Sequence, residues 1–268
     1  MSELQIEIKG NWESFHPREY LEMWYARTTP EISATLGFLR YAYLQATPGA
    51  RVLDFCCGPT IYQHLAAAPL VAEIHCADYL QRNLDEIRRW RDGGPDAFDW
   101  TPLIHEALWQ EGLRHPAAED IARRADIVRS RLTALEWCDI RQPDPLGRPL
   151  GRAYDVVSNC YGADVVAATV EEWEDCVANC CSLLKPGGML IMTLIKDAEW
   201  WPSGDQIMPA LRLNELHVMN ALTKIGFVPS SITTSTHTVD DASQVGYSDV
   251  IFVTATLADN VDEEPRSA

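Results

Sequence analysis

Positive charge is scarce in this chain of 268 residues. Lysine and arginine together number 22 against 39 aspartates and glutamates, which gives a formal net charge of −17 at pH 7. A negative surface repels phosphate backbones and anionic lipid headgroups, and it attracts small cations. The composition therefore opposes binding to nucleic acids and to membrane surfaces, and it favours a small cationic molecule as ligand.

Long apolar runs and metal-ligand spacings are also missing. No apolar stretch reaches the roughly 18 residues that a membrane span needs, and the first thirty residues lack the apolar segment of a signal peptide. The eight cysteines include the adjacent pairs Cys56-Cys57 and Cys180-Cys181, and none is spaced as zinc ligands are. We therefore expect a cytoplasmic protein with free thiols and no bound metal.

Short apolar segments with β character alternate with helical segments. Because 47% of the residues are hydrophobic and no segment resembles an interdomain linker, we expect one main core. The alternation is typical of an α/β fold. The last two strands have no helical pattern between them, which predicts an antiparallel pair at one edge of a seven-stranded mixed sheet. The predicted strands are residues 51–55, 72–77, 132–137, 154–159, 189–195, 228–237 and 247–256.

Composition divides the chain into a lid, a main domain and a tail. Residues 1–46 are rich in aromatic side chains and predict N-terminal helices that form a lid over a ligand; helices packed on the sheet without such a role are the alternative. Residues 47–257 form the predicted main domain. Within it, residues 93–117 are a predicted insertion over one side of the sheet, and residues 118–130 are a predicted helix that leads the chain back to the sheet. The acidic segment 258–268 predicts a disordered tail.

One helix can be delimited by its capping signals. Thr169, followed three residues later by Glu172, forms a capping box at the start of an amphipathic segment. The apolar face continues to Leu184, and Pro186-Gly187-Gly188 is expected to end the helix.

The junction between the first strand and the next helix is the most informative part of the sequence. Residues 51–63 run from an apolar strand through a tight turn into a helix start, where α/β sheets bind nucleotide-like ligands. Asp78 follows the second strand, and a carboxylate at that place can accept both ribose hydroxyls. Cys56 stands where such loops usually have their first glycine, so an ordinary strand-to-helix turn is the alternative.

Several motifs occur together in one order over residues 15–256. The most specific are Gly58-Pro59-Thr60-Ile61-Tyr62-Gln63 and Ala97-Phe98-Asp99-Trp100. The sequence resembles the family of small-molecule N-methyltransferases that includes nicotinamide, phenylethanolamine and indolethylamine (thioether) N-methyltransferases. The other matching blocks are Pro17-Arg18-Glu19-Tyr20-Leu21-Glu22 with Tyr25, Asp78-Tyr79 with Asn83-Leu84, Cys138-Asp139-Ile140, and Ser182-Leu183-Leu184-Lys185-Pro186-Gly187-Gly188.

The resemblance implies a fold, a methyl donor and a class of substrate. The fold would be α/β, the class I methyltransferase type: a Rossmann-like seven-stranded mixed sheet with helices on both faces and an N-terminal helical lid. The donor would be S-adenosyl-L-methionine, which becomes S-adenosyl-L-homocysteine, without a metal. The protein would act on a small molecule as a monomer or homodimer, with no nucleic-acid or membrane partner.

The cofactor residues of the family fall on matching positions here. The loop after the first strand would hold the methionine part of the cofactor, Asp78 the ribose and Asp139 the adenine amine. Tyr20 and Tyr25 match lid tyrosines. The alternatives are a plain helix start for the loop, a strand-end acid for Asp78 and a polar-loop acid for Asp139. The predicted cofactor-binding residues are Tyr20, Tyr25, Cys57, Gly58, Thr60, Tyr62, Gln63, Asp78, Tyr79, Asn83, Asp139, Ile140 and Asn159.

The ends of the fourth and fifth strands predict the substrate site. With one extra residue before the next helix, Asp164 matches a substrate-pocket aspartate of the family, and it is the predicted catalytic residue; a loop acid is the alternative. Thr193 stands where many members have an acid. The acids and tryptophans that follow it suit a cationic nitrogen or form a solvated loop. The predicted substrate-binding residues are Tyr20, Tyr161, Asp164, Thr193, Asp197 and Trp201.

These observations predict an S-adenosylmethionine-dependent enzyme that methylates a nitrogen of a small amine, an arginine-like guanidine or an N-heteroaromatic metabolite. One alternative is a non-catalytic S-adenosylmethionine-binding protein of the same fold, which the unusual Cys56 and Thr193 would allow. Another is a dinucleotide-binding oxidoreductase. It is disfavoured because the loop lacks the full glycine triplet and the sheet ends in a predicted hairpin.

Overall fold

Strands and helices alternate along the part of the chain that the computed structural model describes, residues 10–240 and 242–259. The strands are β1 (Arg51–Phe55), β2 (Glu73–Asp78), β3 (Leu132–Trp137), β4 (Tyr154–Cys160), β5 (Leu184–Lys196), β6 (Trp200–Ser203), β7 (Gln206–Pro209), β8 (Thr233–Thr238) and β9 (Asp249–Thr256). The helices are α1 (Pro17–Tyr25), α2 (Pro30–Tyr43), α3 (Tyr62–Ala67), α4 (Gln81–Arg91), α5 (Thr101–Gln110), α6 (Ala118–Arg131), α7 (Ala163–Val166), α8 (Val170–Cys181), α9 (Glu215–Ile225) and α10 (Ala242–Val245). Short 3-10 helices cover Trp12–Ser14 and Pro229–Ser231.

Seven of the strands form one mixed sheet in the order β3-β2-β1-β4-β5-β9-β8. Strands β1 to β5 run parallel, and β9 pairs antiparallel with both β5 and β8. The predicted α/β class and mixed seven-stranded sheet are thus confirmed. Strands β6 and β7 form a separate hairpin, which the sequence analysis did not predict.

The central strands are buried on both faces because helices cover both sides of the sheet. Val52 and Leu53 are neighbours on β1, and both are fully buried. Their side chains point to opposite faces, so they join two different cores. Helices α2 to α6 pack on the face of Val52, and α8 and α9 pack on the other. The predicted helical layers on both faces are confirmed.

The turn between α8 and β5 lies earlier than predicted. The helix ends at Cys181, and Leu184 already belongs to β5, where it pairs with Tyr154 of β4. The Pro186-Gly187-Gly188 segment lies inside β5 at an irregularity of the β4 pairing, and Gly187 has φ +69°. The predicted helix end and the predicted strand start at 189 were therefore wrong. A buried pairing with β4 outweighs the apolar periodicity of the helix.

The antiparallel edge also differs in detail from the prediction. Residues Pro229–Ser231 form a 3-10 helix, so β8 begins at Thr233 and not at 228. A short helix, α10, lies between β8 and β9, where no helical segment was expected. The antiparallel pairing itself is confirmed.

The N-terminal segment contributes two helices with different roles. Helix α2 packs against α3, α5 and the strands β5, β8 and β9 as part of a core layer. Helix α1 packs against α4 and β6. Within the expected insertion at 93–117, α5 packs against α2, α3 and α6. Of the predicted disordered tail, residues 260–268 lie outside the described residues. No helix in the described ranges is long and apolar enough to cross a membrane.

Backbone strain is concentrated at the carboxyl edge of the sheet. Cys56, Tyr161 and Asp197 have φ values of +51°, +56° and +51°, in the left-handed region that non-glycine residues rarely adopt. They follow the ends of β1, β4 and β5. Each such residue costs of order 1–3 kcal/mol. Three such residues at one edge are typical of a ligand-binding or catalytic site.

Two of these strained turns touch each other through a glycine. A Cβ built on Gly162 would lie 2.5 Å from Cβ of Cys56 and 2.8 Å from Nδ2 of Asn159. Glycine is therefore required here because the loops after β1 and β4 approach each other too closely for any side chain.

We expect Gly162→Ala to lower the free energy of unfolding by about 1–3 kcal/mol, because the added methyl group has no room. Gly151→Ala is the matched control, since its Cβ meets no heavy atom within 4 Å. It should change stability by less than about 1 kcal/mol. Urea unfolding followed by circular dichroism measures both, and equal losses for the two variants would contradict the close-approach argument.

Candidate functional site

Asp78, at the end of β2, is the centre of the hydrogen bonds at the carboxyl edge. Its Oδ2 accepts the backbone N–H of Gly58 at 2.9 Å. Its Oδ1 accepts the N–H of Leu80 at 2.8 Å and Nδ2 of Asn83 at 2.9 Å. Burial raises the pKa of Asp78 to about 6, although these three donors lower it. The carboxylate is fixed against the glycine loop with acceptor capacity left for a further donor.

A second buried carboxylate, that of Asp54 in β1, stabilises the same loop through Gln63. Its Oδ1 accepts the hydroxyl of Ser158 in β4 at 2.6 Å. Its Oδ2 accepts Nε2 of Gln63 at 2.9 Å and Nε2 of His64 at 2.8 Å. Gln63 Nε2 also lies 3.1 Å from the carbonyl oxygen of Cys57. One buried carboxylate therefore connects β1, β4, α3 and the loop.

His64 and Cys76 extend this network into the core. Burial lowers the pKa of His64, but the neighbouring Cys76 and Asp54 outweigh it and raise the pKa to about 10. The ligand-type atoms of Asp54, His64 and Cys76 lie within 4.8 Å of one another, as metal ligands can. Both oxygens of Asp54 already accept hydrogen bonds from Ser158, Gln63 and His64, so the carboxylate has partners without a metal ion. The predicted absence of a metal stays a prediction.

A cavity of about 570 Å³ opens above Asp78, between the carboxyl edge of the sheet and the N-terminal helices. The ring of Tyr79 is half exposed at this cavity, and Asp139 forms a two-point ion pair with Arg141 there, with N–O distances of 2.8 and 3.1 Å. Burial raises the pKa of Asp139, but hydrogen bonds from Arg141 outweigh it, so the pKa lies below its usual value. Other lining residues are Cys56, Cys57, Gly58, Thr60, Tyr62, Asn83, Cys160 and Gly162.

A smaller cavity of about 60 Å³ adjoins the first. The rings of Tyr20, Tyr25, Tyr62, Tyr161 and Trp201 line both cavities. Tyr25 stacks on Tyr62 with ring centroids 5.0 Å apart, and Tyr20 contacts Trp201 edge to face at 5.8 Å. Hydroxyl groups of Tyr20 and Tyr25 lie 3.2 Å apart. Aromatic side chains thus form the boundary between the two cavities.

Glu31, near the start of α2, lines the smaller cavity and not the larger one. Both carboxylate oxygens of Glu31 lie 3.1 Å from the hydroxyl of Tyr247, which donates to them. Burial raises the pKa of Glu31 to about 7, although the hydrogen bond from Tyr247 lowers it. Tyr161 is anchored beside them, because its hydroxyl lies 2.9 Å from that of Thr35.

Ten of the predicted cofactor residues line the larger cavity, and Tyr20, Tyr161 and Trp201 of the substrate set line both cavities. The ten are Tyr20, Tyr25, Cys57, Gly58, Thr60, Tyr62, Asp78, Tyr79, Asn83 and Asp139. Their role in binding stays a prediction, but the fold brings them to one place.

Three predicted cofactor residues are turned away from the cavity. Gln63 is buried against Asp54. Asn159 donates to the carbonyl of Phe55 at 2.9 Å and accepts the N–H of Ala163 at 3.0 Å. It therefore connects the end of β1 to the loop after β4. Ile140 packs in the core on the α8 side. These residues shape the site without lining it.

Three predicted substrate residues also do not line either cavity. Asp197 is exposed to solvent, and its left-handed backbone turns the chain between β5 and β6. Thr193 is fully buried in β5. Asp164 is almost fully buried: its Oδ2 accepts the N–H of Ile195 at 2.9 Å, and burial raises its pKa to about 7.

The sequence analysis missed Glu31, Thr35 and Tyr247 as cavity residues. Glu31 follows Pro30 at a helix start, where an acid is ordinarily explained by the helix dipole. Tyr247 lies in a loop before the last strand, more than 200 positions away. No local pattern relates the two residues, so only the tertiary fold could reveal them.

Comparison with known proteins gives one family. The sequence model of the NNMT/PNMT/TEMT family matches residues 3–257. Nicotinamide N-methyltransferase of Homo sapiens is 31% identical over 221 residues, which cover 80% of this chain and 82% of that protein. Phenylethanolamine N-methyltransferase of Homo sapiens is 27% identical over 233 residues, which cover 83% of this chain and 81% of that protein.

A solved structure supports the fold alone. The structure of an S-adenosylmethionine-dependent methyltransferase from Methanosarcina mazei matches with a TM-score of 0.51 and 12% identity. The match covers 87% of this chain and 99% of that one.

We expect Gln63→Leu to lower the free energy of unfolding by about 1–3 kcal/mol, because Asp54 loses a buried donor. Gln45→Leu is the matched control, since Gln45 is exposed just after α2 and its side chain donates to the carbonyl of Tyr41. It should stay within about 0.5 kcal/mol of the parent. Urea unfolding compares the two, and a neutral Gln63→Leu would show that the loop does not depend on this bond.

Proposed function

This chain belongs to the NNMT/PNMT/TEMT family, and we propose that its larger cavity binds S-adenosylmethionine and its smaller cavity the methyl acceptor. The chain is an enzyme, an S-adenosylmethionine-dependent N-methyltransferase of a small molecule. The assignment of cavities rests on one observation: Asp78 and the glycine loop lie in the larger cavity, and the smaller cavity shares with it a boundary of aromatic rings and Val165. Family membership favours neither the non-catalytic alternative nor the oxidoreductase.

The larger cavity has groups that fit the donor molecule. Asp78 has acceptor capacity left, and Oδ1 of Asn83 is buried without a hydrogen-bond partner among the described residues. These two acceptors suit the two hydroxyls of a ribose. Gly58 has φ +60° and no heavy atom within 4 Å of the place where a Cβ would stand, so a ligand can approach its backbone closely.

The remaining cavity residues would hold the two ends of the donor. We propose that Cys57, Gly58, Thr60 and Tyr62 surround the methionine part. Tyr79 would contact the adenine and Asp139 would accept its amine, with Arg141 fixing the carboxylate. Tyr20 and Tyr25 would close over the cofactor from α1.

Bound S-adenosylmethionine supplies an electrophilic methyl group on a sulfonium, and the protein's part is to position the acceptor nitrogen in line with it. Such alignment can supply up to about 7–11 kcal/mol of the barrier. The rings of Tyr20, Tyr25 and Trp201 would exclude water from the junction of the two cavities. We also propose that transfer needs no metal, so a chelator should leave it unchanged. A cytoplasmic location and a monomer or homodimer stay predictions.

We propose that Asp164 acts by positioning. Its Oδ2 holds the N–H of Ile195, whose side chain lines the smaller cavity. Its Oδ1 is buried and has no hydrogen-bond partner among the described residues. Asp164 therefore fixes the end of β5 behind the cavity wall, in place of the direct catalytic role predicted from the sequence.

Calorimetric titration with S-adenosylhomocysteine, followed by a methyl-transfer screen over amines, guanidines and pyridines, tests the proposed function. We expect micromolar binding and transfer to one of these classes. Asp78→Asn should weaken binding by about 1–3 kcal/mol, and Asp96→Asn, at an exposed aspartate, should not change it. No binding to the parent protein would overturn the assignment of the larger cavity.

The affinity for S-adenosylhomocysteine should also depend on pH through Asp78. Its pKa lies at about 6, and the ionised carboxylate is the better acceptor for ribose hydroxyls. Lowering the pH through 6 protonates Asp78, so affinity should fall, approaching about tenfold per pH unit below that value. Titrations between pH 5 and pH 8 measure this. Asp78→Asn should have a flat profile, and a flat profile for the parent would exclude Asp78 from the ribose site.

A further inference from the structure

The smaller cavity has one acid and no cation among its described lining residues. Glu31 is that acid, and no lysine, arginine or histidine lines the cavity with it. Tyr20, Tyr161 and Tyr247 interact electrostatically with Glu31, and burial raises the pKa of each hydroxyl above its usual value, so all three are neutral. Among the described residues, the Tyr247 hydroxyl is therefore the one group that donates a hydrogen bond to the side chain of Glu31.

The rest of the wall suits the same kind of ligand. The cavity is lined by the rings of Tyr20, Trp24, Tyr161 and Trp201. Aromatic faces attract organic cations, most strongly where water is excluded. An acid and aromatic rings that line one cavity are the combination that binds an ammonium or guanidinium group.

The other acids near this end of the sheet do not have this position. Asp197 is exposed, and Asp164 is buried with its Oδ2 on the N–H of Ile195 and does not line the cavity. Thr193, at the position where the sequence analysis expected an acid in related proteins, is fully buried in β5. Glu31 reaches the cavity from α2 instead.

We propose that Glu31 is the specificity-determining residue for the methyl acceptor, and that the acceptor is a small organic cation, an amine or guanidine, whose nitrogen pairs with this carboxylate. The inference rests on the proposed function, because it assigns the acceptor to the smaller cavity. It excludes a neutral N-heteroaromatic compound as the preferred acceptor.

The same carboxylate can also receive the proton that transfer requires. A protonated amine has no lone pair for attack, so one N–H proton passes to Glu31, which leaves a neutral amine and a neutral carboxyl group. The nitrogen lone pair then forms the bond to the methyl carbon as the carbon–sulfur bond breaks, and the product nitrogen takes the positive charge. A pKa of about 7 for Glu31 is suitable for this exchange at neutral pH.

The experiment measures acceptor binding separately from donor binding. The enzyme is saturated with S-adenosylhomocysteine and titrated by calorimetry with benzylammonium, benzylguanidinium and neutral benzyl alcohol, which share one ring. We expect at least one cation to bind at least tenfold more tightly than the alcohol. Glu31→Gln should remove this preference by weakening the cation at least tenfold, with little change for the alcohol. Glu31→Asp, which keeps the charge, should retain part of the preference.

Two controls separate the possible failures. Glu22→Gln changes an exposed glutamate on α1 and should behave as the parent protein does. The affinity for S-adenosylhomocysteine should be the same in all variants, which shows that each is folded. A cation preference that survives Glu31→Gln, or tighter binding of benzyl alcohol than of both cations, would overturn the role of Glu31 and leave the proposed function intact. Loss of S-adenosylhomocysteine binding in the parent protein would instead overturn the proposed function.

Discussion

The buried carboxylate of Asp54 is the interaction on which the site depends most. It lies within β1, fully removed from water, and it accepts hydrogen bonds from Ser158 on β4 and from Gln63 and His64 on α3. A buried carboxylate without such donors would be very costly, so its partners are held in one arrangement. Gln63 extends that arrangement to the carbonyl of Cys57, which lies in the loop between β1 and α3. The geometry of the loop is therefore fixed from inside the core.

Backbone strain and close packing also fix the loops after β1 and β4. Cys56 and Tyr161 adopt left-handed conformations at the ends of adjacent strands, and Gly162 allows their loops to touch. Such strain persists only where surrounding structure enforces it. At Tyr161 the result is a ring at the boundary of both cavities. At Cys56 a cysteine adopts a conformation that is sterically free only for glycine, which is why such loops usually have glycine at this position.

Charge is distributed unevenly between the two cavities. Among the described residues, Arg141 is the only cation that lines the larger one, and it is paired with Asp139. The smaller one has Glu31 and neutral hydroxyl groups. One acid and several aromatic rings thus line the smaller cavity without a lysine, arginine or histidine among the described residues. The proposed preference for a cationic acceptor rests on this local arrangement and not on the net charge of −17.

The sequence by itself determined the α/β class, the mixed sheet, the family and the loop from β1 to α3, because these depend on local periodicity and on short motifs. It predicted Asp78 and Gly58 as neighbours, since the carboxyl ends of parallel strands meet at one edge, and the family resemblance added Tyr20. The three residues line one cavity. Only the tertiary structure shows which acid lines the smaller cavity. Asp164 and Asp197 follow strand ends as a site acid should, yet one is enclosed by β5 and the other turned to solvent. Glu31 and Tyr247 meet across more than 200 positions, and a contact of that kind arises from packing that no local pattern records.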